Sequence, residues 1–209
     1  FNLRRMLMNK SFIIKIILLC LVTIKVSAIE KVILFGDSLM AGYGLPNEQH
    51  LSVVLQNNLS LDGHNIEIIN GSVSGSTSAG GLNIAEWTLS EPSIDLMILC
   101  LGANDMLRGI NPKETKNNLE EIIKIAKSKN IKVIIAGMIA PTSYGFEYKK
   151  SFDTIFSDLS KKYKLQLIPF LLEGVAQKPE FNLSDGMHPN DQGTIIISNT
   201  LKEAILKNL

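Results

Sequence analysis

The sequence predicts an α/β protein: a three-layer α/β/α sandwich around a mainly parallel central sheet of about five strands. Three observations carry this expectation. Short apolar runs alternate along the chain with longer segments of helical period. The runs are apolar throughout rather than on alternate residues, as strands covered on both faces are. Most of them also stop abruptly at clusters of Gly, Ser, Asn and Asp, the residues of turns.

The elements follow in order. Lys31-Val32-Ile33-Leu34-Phe35 reads as a first strand ending at Gly36-Asp37-Ser38. Residues 47–60 place Leu51, Val54, Leu55 and Leu59 on one helical face. Residues 66–69 form a second strand that closes at Asn70-Gly71, and a Ser/Gly loop leads into a helix near 79–90. Residues 95–101 are the most apolar strand, ending at Gly102-Ala103-Asn104-Asp105. A helix over 113–129, a strand over 131–136, a helix over 147–163, a fifth strand over 165–168 and a final helix over 191–207 complete the pattern.

Residues 1–28 read differently from the rest. Arg4, Arg5 and Lys10 precede a mostly apolar run from Phe12 to Ile24, and Val26-Ser27-Ala28 supplies the small residues of a cleavage site. This is a secretory signal peptide by pattern, with residues 29–209 left as a single domain. A start at Met8 gives a leader of more ordinary proportions and puts residues 1–7 upstream of the true start. Lys15 and Lys25 interrupt the run, which is shorter than the roughly 18–20 apolar residues a membrane span needs. No stable membrane anchor is therefore expected after cleavage, and Cys20 lacks the small residues that precede a lipidated cysteine.

The full chain of 209 residues carries 21 basic and 20 acidic residues. Without residues 1–28 it keeps 16 basic against 20 acidic, a net charge of −4. Such a balance offers nucleic acid no basic face. One cysteine, Cys100, remains in the mature chain, so an internal disulfide is impossible. Export without disulfides points to a bacterial periplasm or the medium. Cys100 lies within an apolar strand and reads as an inert buried thiol. Three histidines and one mature cysteine are too few for a zinc-type cluster. No Gly-rich loop followed by Lys-Ser or Lys-Thr supports nucleotide binding.

Of the three histidines, His50 and His64 read as surface residues. His188 stands three residues after Asp185 in the loop Asp185-Gly186-Met187-His188-Pro189-Asn190. One helical-type turn brings such a pair together, and a carboxylate beside an imidazole fixes its tautomer and stabilises its protonated form. That is the base and orienting acid of a hydrolytic triad. No G-x-S-x-G occurs, so the nucleophile elbow of ordinary α/β-hydrolases is absent. Ser38 stands at the first predicted strand end, and Ser74, Ser76 and Ser78 stand in a Ser/Gly loop after the second. In parallel sheets ligands gather beyond the C-terminal strand ends, where Ser38, Ser74-Gly75-Ser76 and Asn104 fall.

Gly36-Asp37-Ser38-Leu39, Gly75, Gly102-Ala103-Asn104-Asp105 and Asp185-Gly186-Met187-His188 occur in the order and approximate spacing of the four sequence blocks of the SGNH, or GDSL, hydrolase family. The chain resembles that family from Lys31 to its C-terminus. Ala41-Gly42-Tyr43-Gly44, Leu107-Arg108-Gly109 and Tyr144-Gly145 after Pro141 make it most similar to the small exported bacterial acyl-CoA thioesterases, lysophospholipases and arylesterases of the family.

The resemblance implies Ser38 as nucleophile, His188 as base and Asp185 as its orienting acid. It implies an oxyanion hole made by the backbone N–H of Ser38, the backbone N–H of Gly75 and the side-chain amide of Asn104. A serine hydroxyl needs a neutral imidazole to take its proton, and the tetrahedral intermediate needs fixed donors around its oxyanion. Asp37 is expected to support the serine loop. Pro141 and Tyr144 fall on a substrate-side loop, where Ser143 replaces the Asn common in the similar proteins. Met138, Ile139 and Phe146 belong either to an acyl pocket or to the core. The implied chemistry requires no metal or cofactor. Its substrates are small acyl esters or thioesters, lysophospholipid among them, and the chain is expected to act as a monomer. The alternatives are a carbohydrate O-deacetylase of the same family and a binding module without catalysis.

Overall fold

The computed structural model describes residues 30–208; the expected leader over residues 1–28 lies outside them. Five strands, β1 (Glu30–Gly36), β2 (Ile66–Asn70), β3 (Ile94–Cys100), β4 (Lys132–Ala136) and β5 (Gln166–Ile168), form one sheet in the order β2-β1-β3-β4-β5. All four pairings are parallel, so the sheet is wholly rather than mainly parallel. Among the described residues seven α-helices connect and follow the strands: α1 (Ser38–Ala41), α2 (Leu51–Leu61), α3 (Ser78–Thr88), α4 (Ala103–Leu107), α5 (Pro112–Ser128), α6 (Phe146–Tyr163) and α7 (Asp191–Leu206).

The sandwich follows from the strands. Val32, Ile33, Leu34 and Phe35 of β1 and Leu96 through Cys100 of β3 are all buried, so both faces of the sheet must be covered. Helix α2 packs on α7 in one layer, and α5 packs on both α3 and α6 in the other. Each long helix turns its apolar stripe inward, as Leu119, Ile122, Ile123 and Ala126 do on α5. Caps set where helices start. Thr77 Oγ1 accepts from Gly80 N–H at 3.2 Å ahead of α3. Asn111 does the same for α5, which has Pro112 in its first turn, and Asn190 for α7. The exposed edge of β2 is covered by a side chain: the Gln56 amide donates to Ile66 O at 2.7 Å and accepts from Ile68 N–H at 2.8 Å.

The expected helix over 47–60 is divided. Asn47–Gln49 is a 3₁₀ turn, His50 takes extended angles, and α2 starts at Leu51. His50 causes the break, because its ring Nε2 lies 3.1 Å from Leu45 O and ties the residue back to the preceding turn. It is half-buried, not a free surface residue, whereas His64 is exposed. Helices α1 and α4 are too short for apolar periodicity to reveal. The strand order reverses between β1 and β3, and these two short helices follow those two strands. Such a switch point leaves a crevice above the strand ends.

Candidate active site

Ser38 enters the crevice because β1 stops one residue short of a tight helical turn. Asp37 caps that turn: its Oδ1 accepts from Leu39 N–H at 3.0 Å, and its carbonyl accepts from Met40 and Ala41. Ser38 is the first residue of α1 and stands at the cavity wall.

The Asp185–Asn190 loop arrives at the same place from the other end of the sequence. Asp185 Oδ1 accepts from the N–H of Met187 at 2.9 Å and of His188 at 3.0 Å, folding the segment into an Asx turn. Leu183 N–H donates to His188 O at 2.7 Å, and Asn190 caps α7. The result holds His188 Nδ1 2.7 Å from Asp185 Oδ2 and Nε2 2.9 Å from Ser38 Oγ, across 150 residues of chain.

Burial alone pushes the Asp185 carboxyl up, but the two backbone N–H groups and the imidazole outweigh it and hold the group at about 2. Asp185 is therefore an ionised acceptor at neutral pH. The imidazole proton then sits on Nδ1, leaving the Nε2 lone pair to face the Ser38 hydroxyl.

Asp37 has the opposite character. Burial raises its carboxyl to about 6, against the lowering effects of Leu39 N–H, the Asn104 amide and the nearby His188, with Asp105 adding to the rise. Asn104 Nδ2 donates one hydrogen to Asp37 Oδ2 at 3.3 Å. The second amide hydrogen stays available at the cavity, which Asn104 lines. Gly75 lines it as well, with φ +78 and nothing within 4 Å of where a Cβ would stand. Neither Ser38 N–H nor Gly75 N–H has a backbone acceptor among the described residues. Ser38, Gly75, Asn104 and His188 thus meet at one cavity, with Asp37 and Asp185 behind them.

Several contributors were not singled out by sequence. Asp105, fully buried, accepts from Ser78 N–H at 2.7 Å, from Ser78 Oγ at 2.5 Å and from Thr115 Oγ1 at 3.1 Å. Arg108 donates to Gly75 O at 3.0 Å. Both join α4, which carries Asn104, to the Gly75–Ser78 segment, so two of the three prospective oxyanion donors, Gly75 and Asn104, are tied to one another. Of the competing serines, Ser78 is consumed by Asp105, Ser76 Oγ donates to Thr77 O, and Ser74 lines the cavity without a base.

The cavity measures about 1040 Å³ and runs from Ser38 past β3 and β4 to the segment after β5. Leu39, Met106, Leu107, Met138, Ile139 and Pro141 give it an apolar wall. Phe146 is not part of it; that side chain is 74% exposed with Lys150 over its ring. Tyr144 is half-buried against Tyr148, ring centroids 5.4 Å apart, and does not line the cavity, whereas Pro141 does. The wall is held by α6: Lys149 Nζ donates to Ala140 O at 2.6 Å and to Asp153 Oδ2 at 2.7 Å, while Asp153 Oδ1 accepts from Ala140 N–H at 2.9 Å.

Among the described residues no three His, Cys, Asp or Glu side chains lie close enough together to hold a metal ion. No described helix is long and apolar enough to cross a membrane. Cys100 is buried in β3, and burial pushes its thiol up.

The chain is similar in sequence and in fold to known proteins. The chain is 36% identical over 182 residues to an arylesterase of Vibrio mimicus, spanning 87% of this chain and 91% of that protein. It is 31% identical over 172 residues to the Escherichia coli thioesterase 1/protease 1/lysophospholipase L1, spanning 82% and 81% respectively. The crystal structure of the psychrotrophic esterase EstA from Pseudoalteromonas sp., inhibited by monoethylphosphonate, superposes with a TM-score of 0.81 at 30% identity, covering 85% of this chain and 97% of that one. Residues 34–194, which hold Ser38, Gly75, Asn104, Asp185 and His188, match one family over most of the chain. The chain belongs to the GDSL-like lipase/acylhydrolase family.

Proposed function

We propose that this protein is a serine hydrolase of carboxylic esters and thioesters, of the arylesterase, thioesterase and lysophospholipase type. The observation that carries the reading is the chain of two hydrogen bonds, Ser38 Oγ to His188 Nε2 at 2.9 Å and His188 Nδ1 to Asp185 Oδ2 at 2.7 Å, at the edge of an apolar cavity.

In this reading Ser38 Oγ attacks the acyl carbonyl carbon while His188 Nε2 takes the hydroxyl proton. The carbonyl π-pair moves to oxygen, and the oxyanion accepts hydrogen bonds from Ser38 N–H, Gly75 N–H and Asn104 Nδ2. The tetrahedral intermediate collapses, breaking the bond to the alcohol or thiol, which leaves with the proton from His188. Water then repeats the sequence on the acyl-enzyme, and the acid departs. Asp185 stays ionised throughout and stabilises the imidazolium. Asp37 keeps the Asn104 amide turned so that nitrogen, not oxygen, meets the oxyanion.

The leader over residues 1–28 exports residues 29–209 as one catalytic domain to the periplasm or medium, where the enzyme works as a monomer. The apolar cavity supports an acyl substrate over an acetylated glycan. Ser38→Ala tests the assignment: hydrolysis of p-nitrophenyl acyl esters should fall at least a thousandfold, and retention of turnover would sink it. Rates on acetylated sugars against longer acyl esters separate the deacetylase alternative.

A further inference from the structure

The ring of Tyr43 lies against that of His188, with centroids 4.5 Å apart and planes inclined by 39°. Tyr43 is 52% exposed and lines the cavity, so core packing does not account for its position. The turn that carries it is tightly made. Tyr43 N–H donates to Ser38 O at 3.3 Å. Gly42 and Gly44, on either side, take φ of +86 and +75; a Cβ on Gly42 would stand 2.5 Å from the His50 ring, and one on Gly44 2.7 Å from Leu183 Cδ1. A side chain at Gly42 would displace the His50 ring, and both positive φ angles favour glycine. The segment following the nucleophile is thus shaped to set an aromatic face on the base.

We propose that Tyr43 is a positioning residue for His188, its ring stabilising the imidazolium that forms when Ser38 gives up its proton. The inference rests on the triad reading above. Asp185 holds one ring nitrogen and Ser38 the other, both in the plane of the ring, and these contacts leave the faces of the imidazole to other groups. Tyr43 covers a face and restrains it. The face of an aromatic ring is electronegative and attracts a cation within about 6 Å of its centroid. His188 is neutral before proton transfer and cationic after it, so the attraction is greater in the transition state and lowers the barrier. At a half-exposed position this corresponds to about two- to fivefold in rate.

The test compares Tyr43→Leu, Tyr43→Phe and His188→Ala by steady-state kinetics on p-nitrophenyl butyrate, with thermal midpoints to confirm folding. Tyr43→Leu keeps apolar cover but removes the π face; kcat should fall about two- to fivefold with KM moved less than about twofold. Tyr43→Phe keeps the ring and should restore kcat to within about twofold of the parent. Equal kcat in the Leu and Phe variants, or a loss carried by KM, overturns the role of Tyr43 while His188→Ala remains inactive. Turnover surviving in His188→Ala overturns the triad reading itself.

Discussion

Replacing Asp185 by Asn changes one atom that matters and leaves its neighbours nearly undisturbed. Oδ1 accepts from the N–H groups of Met187 and His188, and an Asn side-chain oxygen accepts both equally well, so the loop keeps its shape. Oδ2, 2.7 Å from His188 Nδ1, becomes an NH₂ donor. Two donors cannot share that contact, so the imidazole moves its proton to Nε2, 2.9 Å from Ser38 Oγ. There it presents a hydrogen to the nucleophile instead of a lone pair. The expected loss is about 10³–10⁴ in kcat, about 4–5.5 kcal/mol of transition-state stabilisation. Steady-state hydrolysis of a p-nitrophenyl ester measures it. A rate within tenfold of the parent, in a variant that is folded at the assay temperature, would refute the reasoning, because another group would then be orienting His188. The same substitution has a stability signature. The Asp185 carboxyl is depressed from 3.8 to about 2, so its ionised form stabilises the fold above about pH 4, and that contribution is lost as pH falls through 2. Parent and variant should therefore differ in thermal midpoint at pH 5 and converge near pH 2.

Asp37 has the reverse sign. Its carboxyl is raised from 3.8 to about 6, so its stabilising contribution is complete below about pH 4 and lost as pH rises through 6. Melting scans at pH 4 and 7.5 should show that Asp37→Asn removes this decline, while kcat falls because the new amide turns a donor toward Asn104 Nδ2. A parent decline that persists in the variant would assign it to another group. Asp105→Ala leaves Ser78 N–H, Ser78 Oγ and Thr115 Oγ1 buried without their acceptor. At about 1–3 kcal/mol for each unsatisfied group, urea denaturation should report a loss of about 3 kcal/mol or more; a loss under about 1 kcal/mol would mean that water replaces the carboxylate.

The parts of this fold legible in sequence were those with a local cause. Val32 to Phe35 and Leu96 to Cys100 announce strands buried on both faces because each residue is apolar, whichever face it points to. The Asp185/His188 pair is visible because one turn brings i and i+3 together. Ser38, Gly75 and Asn104 fall at strand ends, where the topology directs ligands. What remained hidden depends on contacts distant along the chain. The β2-β1-β3-β4-β5 order, which sets Ser38 beside Asn104, has no local signature. Asp105 meets Ser78 across 27 residues, and Tyr43 reaches His188 only once the two chain ends have docked. His50 broke an otherwise regular helical pattern through one side-chain bond to Leu45 O. Met138 and Ile139 entered the cavity wall while Phe146 went to solvent, a partition that hydropathy alone leaves open.

Covalent labelling tests the central claim most directly. The protein is treated with a fluorophosphonate, digested, and the modified residue located by mass spectrometry, in the parent and in His188→Ala. The account predicts a single adduct on Ser38 that forms quickly in the parent and is nearly absent when His188 is removed. An adduct on Ser74 or Ser76 instead, or labelling of Ser38 that proceeds equally well without His188, would contradict it.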